Sequence, residues 1–205
     1  MITIEERFSC CIVVDTQLLP NTFDVKVNLL PANSTQKNYT VALERINIIF
    51  RDVFEDSILI GPSSVSKFKN AMGLNGVIHT LPDEPYDHLL AIALHTKISA
   101  LVQDVFTVER VSVTSTQGNG VTHTFEDIGD SGDTLRELMD NPDLKEYVDY
   151  WYSANVNYIR LHPNGIKYET QNWEKEGLVY EQKDSGAVKR FRPRLVSDND
   201  KDDDS

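Results

Sequence analysis

Between residues 6 and 53 the spacing of apolar side chains changes from every second position to helical spacing, and no single layer of structure satisfies both. From Glu6 to Asp15, Phe8, Cys10, Ile12 and Val14 alternate with more polar residues, and Thr22 to Leu30 repeats the pattern through Phe23, Val25, Val27 and Leu29. A period of two places these side chains on one face of a strand, so the segment predicts two antiparallel strands. Leu18-Leu19-Pro20-Asn21 supplies the expected turn, because Pro fixes its own φ and Asn tolerates unusual backbone angles. From Asn38 onward Tyr39, Ala42, Leu43, Ile46, Ile49, Phe50 and Val53 fall on one helical stripe. A sheet and an amphipathic helix each have an apolar face to cover, which makes the expected class α+β.

The same reading extends along the chain. Gly61-Pro62 breaks it, and Ser63 or Ser64 can cap a short helix carrying Val65, Phe68 and Met72. Pro82-Asp83-Glu84-Pro85 opens the strongest helix, with acidic residues at the positive end of the dipole, and Tyr86, Leu89, Leu90, Leu94 and Ile98 lie on its buried stripe. Phe106 and Val108 alternate in one phase and Val111 and Val113 in the other, which predicts a strand with a bulge near Glu109-Arg110. Gly118-Asn119-Gly120 then turns the chain into Val121, His123 and Phe125. The expected order is strand, strand, helix, helix, helix, strand, strand. Its simplest packing is a four-stranded antiparallel sheet covered by helices on one face, spanning residues 1–128.

Residues 129–182 are expected to form an appendage packed on that domain. Asn141-Pro142 starts a helix through Trp151, a hairpin runs from Tyr158 to Tyr168 around His162-Pro163-Asn164-Gly165, and Trp173, Leu178 and Tyr180 fold back as an anchor. From 183 to 205 almost nothing is apolar: Lys189, Arg190, Arg192 and Arg194 crowd together, and Asp198, Asp200, Asp202, Asp203 and Asp204 follow. No core can form from such a stretch, so a disordered tail, basic and then acidic, is expected.

The formal charge of -12 argues against a general nucleic-acid binder, which needs clustered cations to displace counterions. Without an apolar run of the roughly 20 residues a membrane helix needs, or a charged-then-apolar leader, a cytoplasmic location is expected. The two cysteines, Cys10 and Cys11, are neighbours whose side chains point to opposite faces of a strand, so plain thiols are expected. No Gly-rich phosphate loop, serine nucleophile elbow or paired-cysteine metal pattern occurs, which counts against an enzyme, and no cofactor is expected.

Three constellations remain. Glu84, His88 and His95 recur at four and seven residues and share a helix face, so they are the candidate metal ligands, although a solvated face suits them equally. Asp127, Asp130 and Asp133 lack the alternate carboxylates and closing Glu of a calcium loop, and His123, beside Val121 and Phe125, is expected as a hydrogen-bonded core histidine. Lys189, Arg190, Phe191, Arg192 and Arg194 form the candidate binding segment; the adjacent acidic run and the net charge favour a protein partner over nucleic acid.

The order of elements in residues 6–126 resembles the tunnelling fold of pterin- and queuosine-pathway enzymes. That resemblance implies a small-molecule enzyme or ligand-binding protein with pockets at subunit interfaces. Its metal-using members hold zinc through histidines on the first two strands, and Phe8 to Asp15 and Phe23 to Leu29 contain none. Leu81-Pro82-Asp83-Glu84-Pro85-Tyr86-Asp87, with Trp151-Tyr152 and Asn172-Trp173-Glu174-Lys175-Glu176-Gly177-Leu178, resembles accessory proteins of large T-even-like tailed phages. The second resemblance implies a non-enzymatic protein that binds a host or phage protein in the infected bacterial cytoplasm, or a virion component.

Overall fold

A computed structural model describes residues 1–64, 76–126, 145–162 and 165–181. The architecture is α+β, built on one mixed sheet of eight strands: β1 Ile2–Val14, β2 Gln17–Pro31, β3 Ser57–Ile60, β4 Gly76–Thr80, β5 Phe106–Ser115, β6 Thr122–Glu126, β7 Asn157–His162 and β8 Gly165–Thr170. Their spatial order is β6-β5-β2-β1-β3-β4-β7-β8. The helices are α1 Gln36–Ile48, continued by a π-helical turn at Ile49–Phe54, α2 Asp87–Val102 and α3 Lys145–Tyr152.

This overturns the expected four-stranded antiparallel sheet. The two hairpins foreseen in residues 1–128 do lie side by side, with Val25 opposite Val113 across β2 and β5. On the other edge of β1, however, β3 and then β4 add in parallel, and the C-terminal hairpin, expected as an appendage packed on the domain, continues the same sheet through Ile78 opposite Ile159. The physical reason is burial on both faces. Ser57-Ile58-Leu59-Ile60 is buried at every position, so it carries no alternation, the signal by which a half-exposed strand is recognised.

The first turn also moves. Asp15 and Thr16 both take positive φ, 49° and 71°, and make the two-residue hairpin loop, while Pro20 and Asn21 lie inside β2. Pro20 is tolerated there because its carbonyl, and therefore its nitrogen, faces the edge where the Gln117 side chain donates at 2.8 Å, beyond the last β2–β5 pair at Phe23 and Ser115. The bulge falls where expected: Asn28 faces Arg110 and Leu29 faces Val108, leaving Glu109 unpaired. The proposed helix after Gly61-Pro62 is described only at residues 62–64; its continuation over 65–75, the Asp127, Asp130 and Asp133 segment, and the tail from 183 lie outside the described residues.

The helices cover one face. Phe8 and Phe23 stack at 5.1 Å on the sheet and meet Phe50 and Phe54 from the π-helical turn, and Leu90, Leu94 and Leu101 of α2 join the same cluster. Helix α2 packs against the sheet at β5 and β6 and against α1 and α3, which explains why it is buried nearly all round. Cys10 faces this core and Cys11, half-buried, the reverse side; both are free thiols, and burial pushes the Cys10 thiol up.

Two cations are buried with the core, and each ties the C-terminal segment to the helices. Arg45 of α1 donates from Nε and Nη2 to the Leu178 carbonyl at 3.0 and 2.7 Å, and its guanidinium lies over the rings of Tyr180 and Trp173. These are the residues expected as an anchor. Lys97 of α2, 0% exposed, donates from Nζ to the carbonyls of Tyr150, Ser153 and Asn155 at 2.8, 2.8 and 2.6 Å and sits 3.9 Å from the Tyr150 ring centroid. Burial pulls its ammonium down to about 7, against the carbonyls and ring that hold the proton on.

Beside Lys97, His79 of β4 donates from Nε2 to the Val53 carbonyl at 3.0 Å, and its Nδ1 faces the Tyr150 hydroxyl at 3.5 Å. Burial first, and then the Lys97 charge, push the imidazole down from 6.5 to about 4, against the pull of the Val53 carbonyl. An unfolded chain therefore takes up a proton at His79 that the native chain refuses. Stability from this group is full above pH 6.5 and lost as the pH falls toward 4, a change of about 3 kcal/mol. Urea denaturation from pH 7 to 4 should show that decline, and His79→Gln should flatten it; an equally steep decline in the variant would remove His79 as the cause.

Candidate functional site

The long β1–β2 hairpin reaches past the end of the β5 ladder, and its inward side chains Ile12, Val14 and Leu19 extend beyond the start of α2 at Asp87. They floor a cleft of about 490 Å³, walled by Pro85, Tyr86 and His88 on one side and by Gly118 and His123 on the other. Two other depressions of similar size lie among the described residues. One is on the charged outer face around Arg7 and Asp24, and one beside Trp173 among exposed amides. Of the three, the first combines an apolar floor with converging polar groups, the usual make-up of a small-molecule site.

Its polar groups are held in place. Asp87, in the first turn of α2 where a negative charge suits the helix dipole, is 8% exposed. Both its carboxylate oxygens lie 2.8 Å from the Ser115 hydroxyl, which in turn accepts from the Gly118 amide at 3.0 Å. A Cβ on Gly118 would stand 2.3 Å from Asp87 Oδ2, so the loop closes this tightly only with glycine there. Tyr86 and His88 stack in nearly parallel planes, 10° apart with ring centroids at 5.9 Å, and His123 of β6 faces His88 at 5.9 Å and 55°. Below them, Asn21 Oδ1 accepts from the Thr22 and Gln117 amides and the Thr116 hydroxyl, while its Nδ2 is buried with no partner among the described residues.

The residues singled out by spacing do not converge. His88 and His95 do share a face of α2, but two helical turns separate them by roughly 10 Å. His88 meets His123, whereas His95 Nε2 lies 3.1 Å from the Val108 carbonyl and the ring stands edge-on to Phe125. Glu84 precedes the helix, and its Oε1 accepts from Ser63. Among the described residues no group of three His, Cys, Asp or Glu side chains could hold one metal. His123, expected in the core, is half-buried and lines the cleft. Lys189, Arg190, Phe191, Arg192 and Arg194 lie outside the described residues. Sequence reading missed Tyr86, Asp87 and Ser115 as site residues; the one available signal was Tyr86-Asp87-His88 at the mouth of the best helix.

No protein-family model and no curated protein matches the chain. Its structure is similar to those of two catalytic-residue mutants of Plasmodium vivax 6-pyruvoyltetrahydropterin synthase, a tunnelling-fold protein. Each shows 8% sequence identity and a TM-score of 0.39, covering 60% of this chain and 94% of the other. A likeness at that level assigns no activity. Strands β1 and β2 carry no histidine. Among the described residues no helix is long and apolar enough to cross a membrane.

Proposed function

We propose that the protein binds a small organic molecule in the cleft between the β1–β2 hairpin, the start of α2 and β6. The observation that carries this reading is the Asp87 carboxylate, fixed by Ser115 and the close approach of Gly118 beside an apolar floor. A pre-positioned acceptor next to burial for a ring or alkyl group is what orients a small ligand. Tyr86, 47% exposed and stacked on His88, offers a flat face at the rim. A protein-binding role for the segment at residues 189–194 is a separate proposal that the sequence alone supports.

A panel of small aromatic and aliphatic compounds, screened by thermal shift on the full chain, tests the reading. At least one class should raise the melting temperature. Tyr86→Ala should then weaken its binding by roughly fivefold, from the loss of about 1 kcal/mol of ring contact. A panel without effect, or binding untouched by that substitution, would remove the assignment.

A further inference from the structure

We propose that His88 and His123 together bind a divalent transition-metal ion of the zinc, nickel or copper class at the mouth of this cleft. The proposal rests on the reading of the cleft as a binding site and adds a cation to it. The two imidazoles come from different elements, the first turn of α2 and strand β6, with ring centroids 5.9 Å apart. Two imidazoles sharing one ion through metal–nitrogen bonds of ~2.0–2.1 Å have centroids roughly 5–6 Å apart, the separation found here. Imidazole nitrogen selects these metals over magnesium or calcium.

The surroundings favour a cation. Among the described residues no Lys or Arg lines the cleft, and the Asp87 carboxylate adjoins His88 and offsets the positive end of α2. The chain's net charge of -12 raises the local concentration of divalent ions. Tyr86, stacked on His88, limits the freedom of that ring. With two protein ligands the remaining coordination positions stay open to water or to a donor atom of a molecule in the cleft, unlike the closed four-ligand shell of a structural site. This pair is distinct from the strand histidines of tunnelling-fold enzymes, which are absent from β1 and β2.

Full-length protein stripped with chelator and titrated calorimetrically with zinc chloride, and separately with nickel chloride, decides the matter. The expected result is a saturable site that weakens by more than roughly tenfold, or about 1.4 kcal/mol, in both His88→Ala and His123→Ala. The side-chain nitrogen resonances of both histidines should shift together during the titration. No saturable binding, or binding retained in the double variant, overturns the proposal; the second result would place the ion on acidic groups elsewhere. Repeating the organic-compound titrations in excess chelator separates the two readings. Binding that persists there keeps the cleft as a ligand site even if the metal fails, whereas loss of both leaves neither.

Discussion

Truncating Trp151 to alanine should lower the free energy of unfolding by about 4 kcal/mol, near the upper end for a single aromatic core residue. The indole is 0% exposed, stacks on Phe54 at 6.2 Å and 12°, and meets Tyr150 edge-on at 5.1 Å. Its Nε1 also donates to the Thr80 carbonyl at the end of β4, at 3.1 Å. The truncation therefore opens a cavity between α3, the π-helical turn and β4, and leaves a carbonyl without its donor. Trp151→Phe retains most of the stacking and should lose about 1–2 kcal/mol, chiefly the hydrogen bond. Urea denaturation measures both. A loss below roughly 1 kcal/mol in the alanine variant, with the slope unchanged, would mean that α3 does not depend on this contact.

Replacing Lys97 by Met should cost about 3 kcal/mol when measured at pH 6, below the point near 7 to which burial brings the ammonium. Two effects oppose each other. Removing a desolvated charge is favourable in itself, and buried charges exchanged for apolar groups often leave a protein no weaker. Here, however, the acceptors stay behind: the carbonyls of Tyr150, Ser153 and Asn155, at and just past the end of α3, all point at Nζ. The Tyr150 carbonyl keeps the Ser153 amide at 3.3 Å, but those of Ser153 and Asn155 lose the ammonium; at about 2 kcal/mol each their loss outweighs a relief of about 1 kcal/mol. Amide exchange should quicken first in residues 150–155 if the ammonium holds that turn. A Met variant as stable as the parent would show that relief from desolvation matches the cost of the stranded carbonyls.

Six of the eight strands were legible, most clearly where one face of the sheet is exposed. In β1, β2 and β5 polar and apolar residues alternate, and even the bulge at Glu109 announced itself as a change of phase between Val108 and Val111. Strands β3 and β4 are short, and β3 is buried at every position, so their residues differ little from any other apolar stretch. Missing them severed the link between the N-terminal hairpins and the one beginning at Asn157, and made a continuous sheet look like a body with an attachment.

The cleft was harder to foresee. His88 and His95 stand at helical spacing on one face, which the sequence displays, but only the path of β6 decides that His123 rather than His95 becomes the neighbour of His88. Asp87 and Ser115 are 28 positions apart, and nothing local joins them. Arg45 and Lys97 carried no signal either, because a buried cation satisfied by carbonyls has no acidic partner in the sequence to betray it.

The neighbours of β4 impose an order on synthesis. On one side it lies against β3, already made, but its other edge must wait for Ile159, which leaves the ribosome about 80 residues later. At roughly 5–20 residues per second that strand edge is bare for several seconds in every nascent chain. The interval invites pairing with a second nascent chain on the same message. Slowing translation between the codons for residues 80 and 157 should therefore raise the aggregated fraction without changing the stability of the molecules that finish.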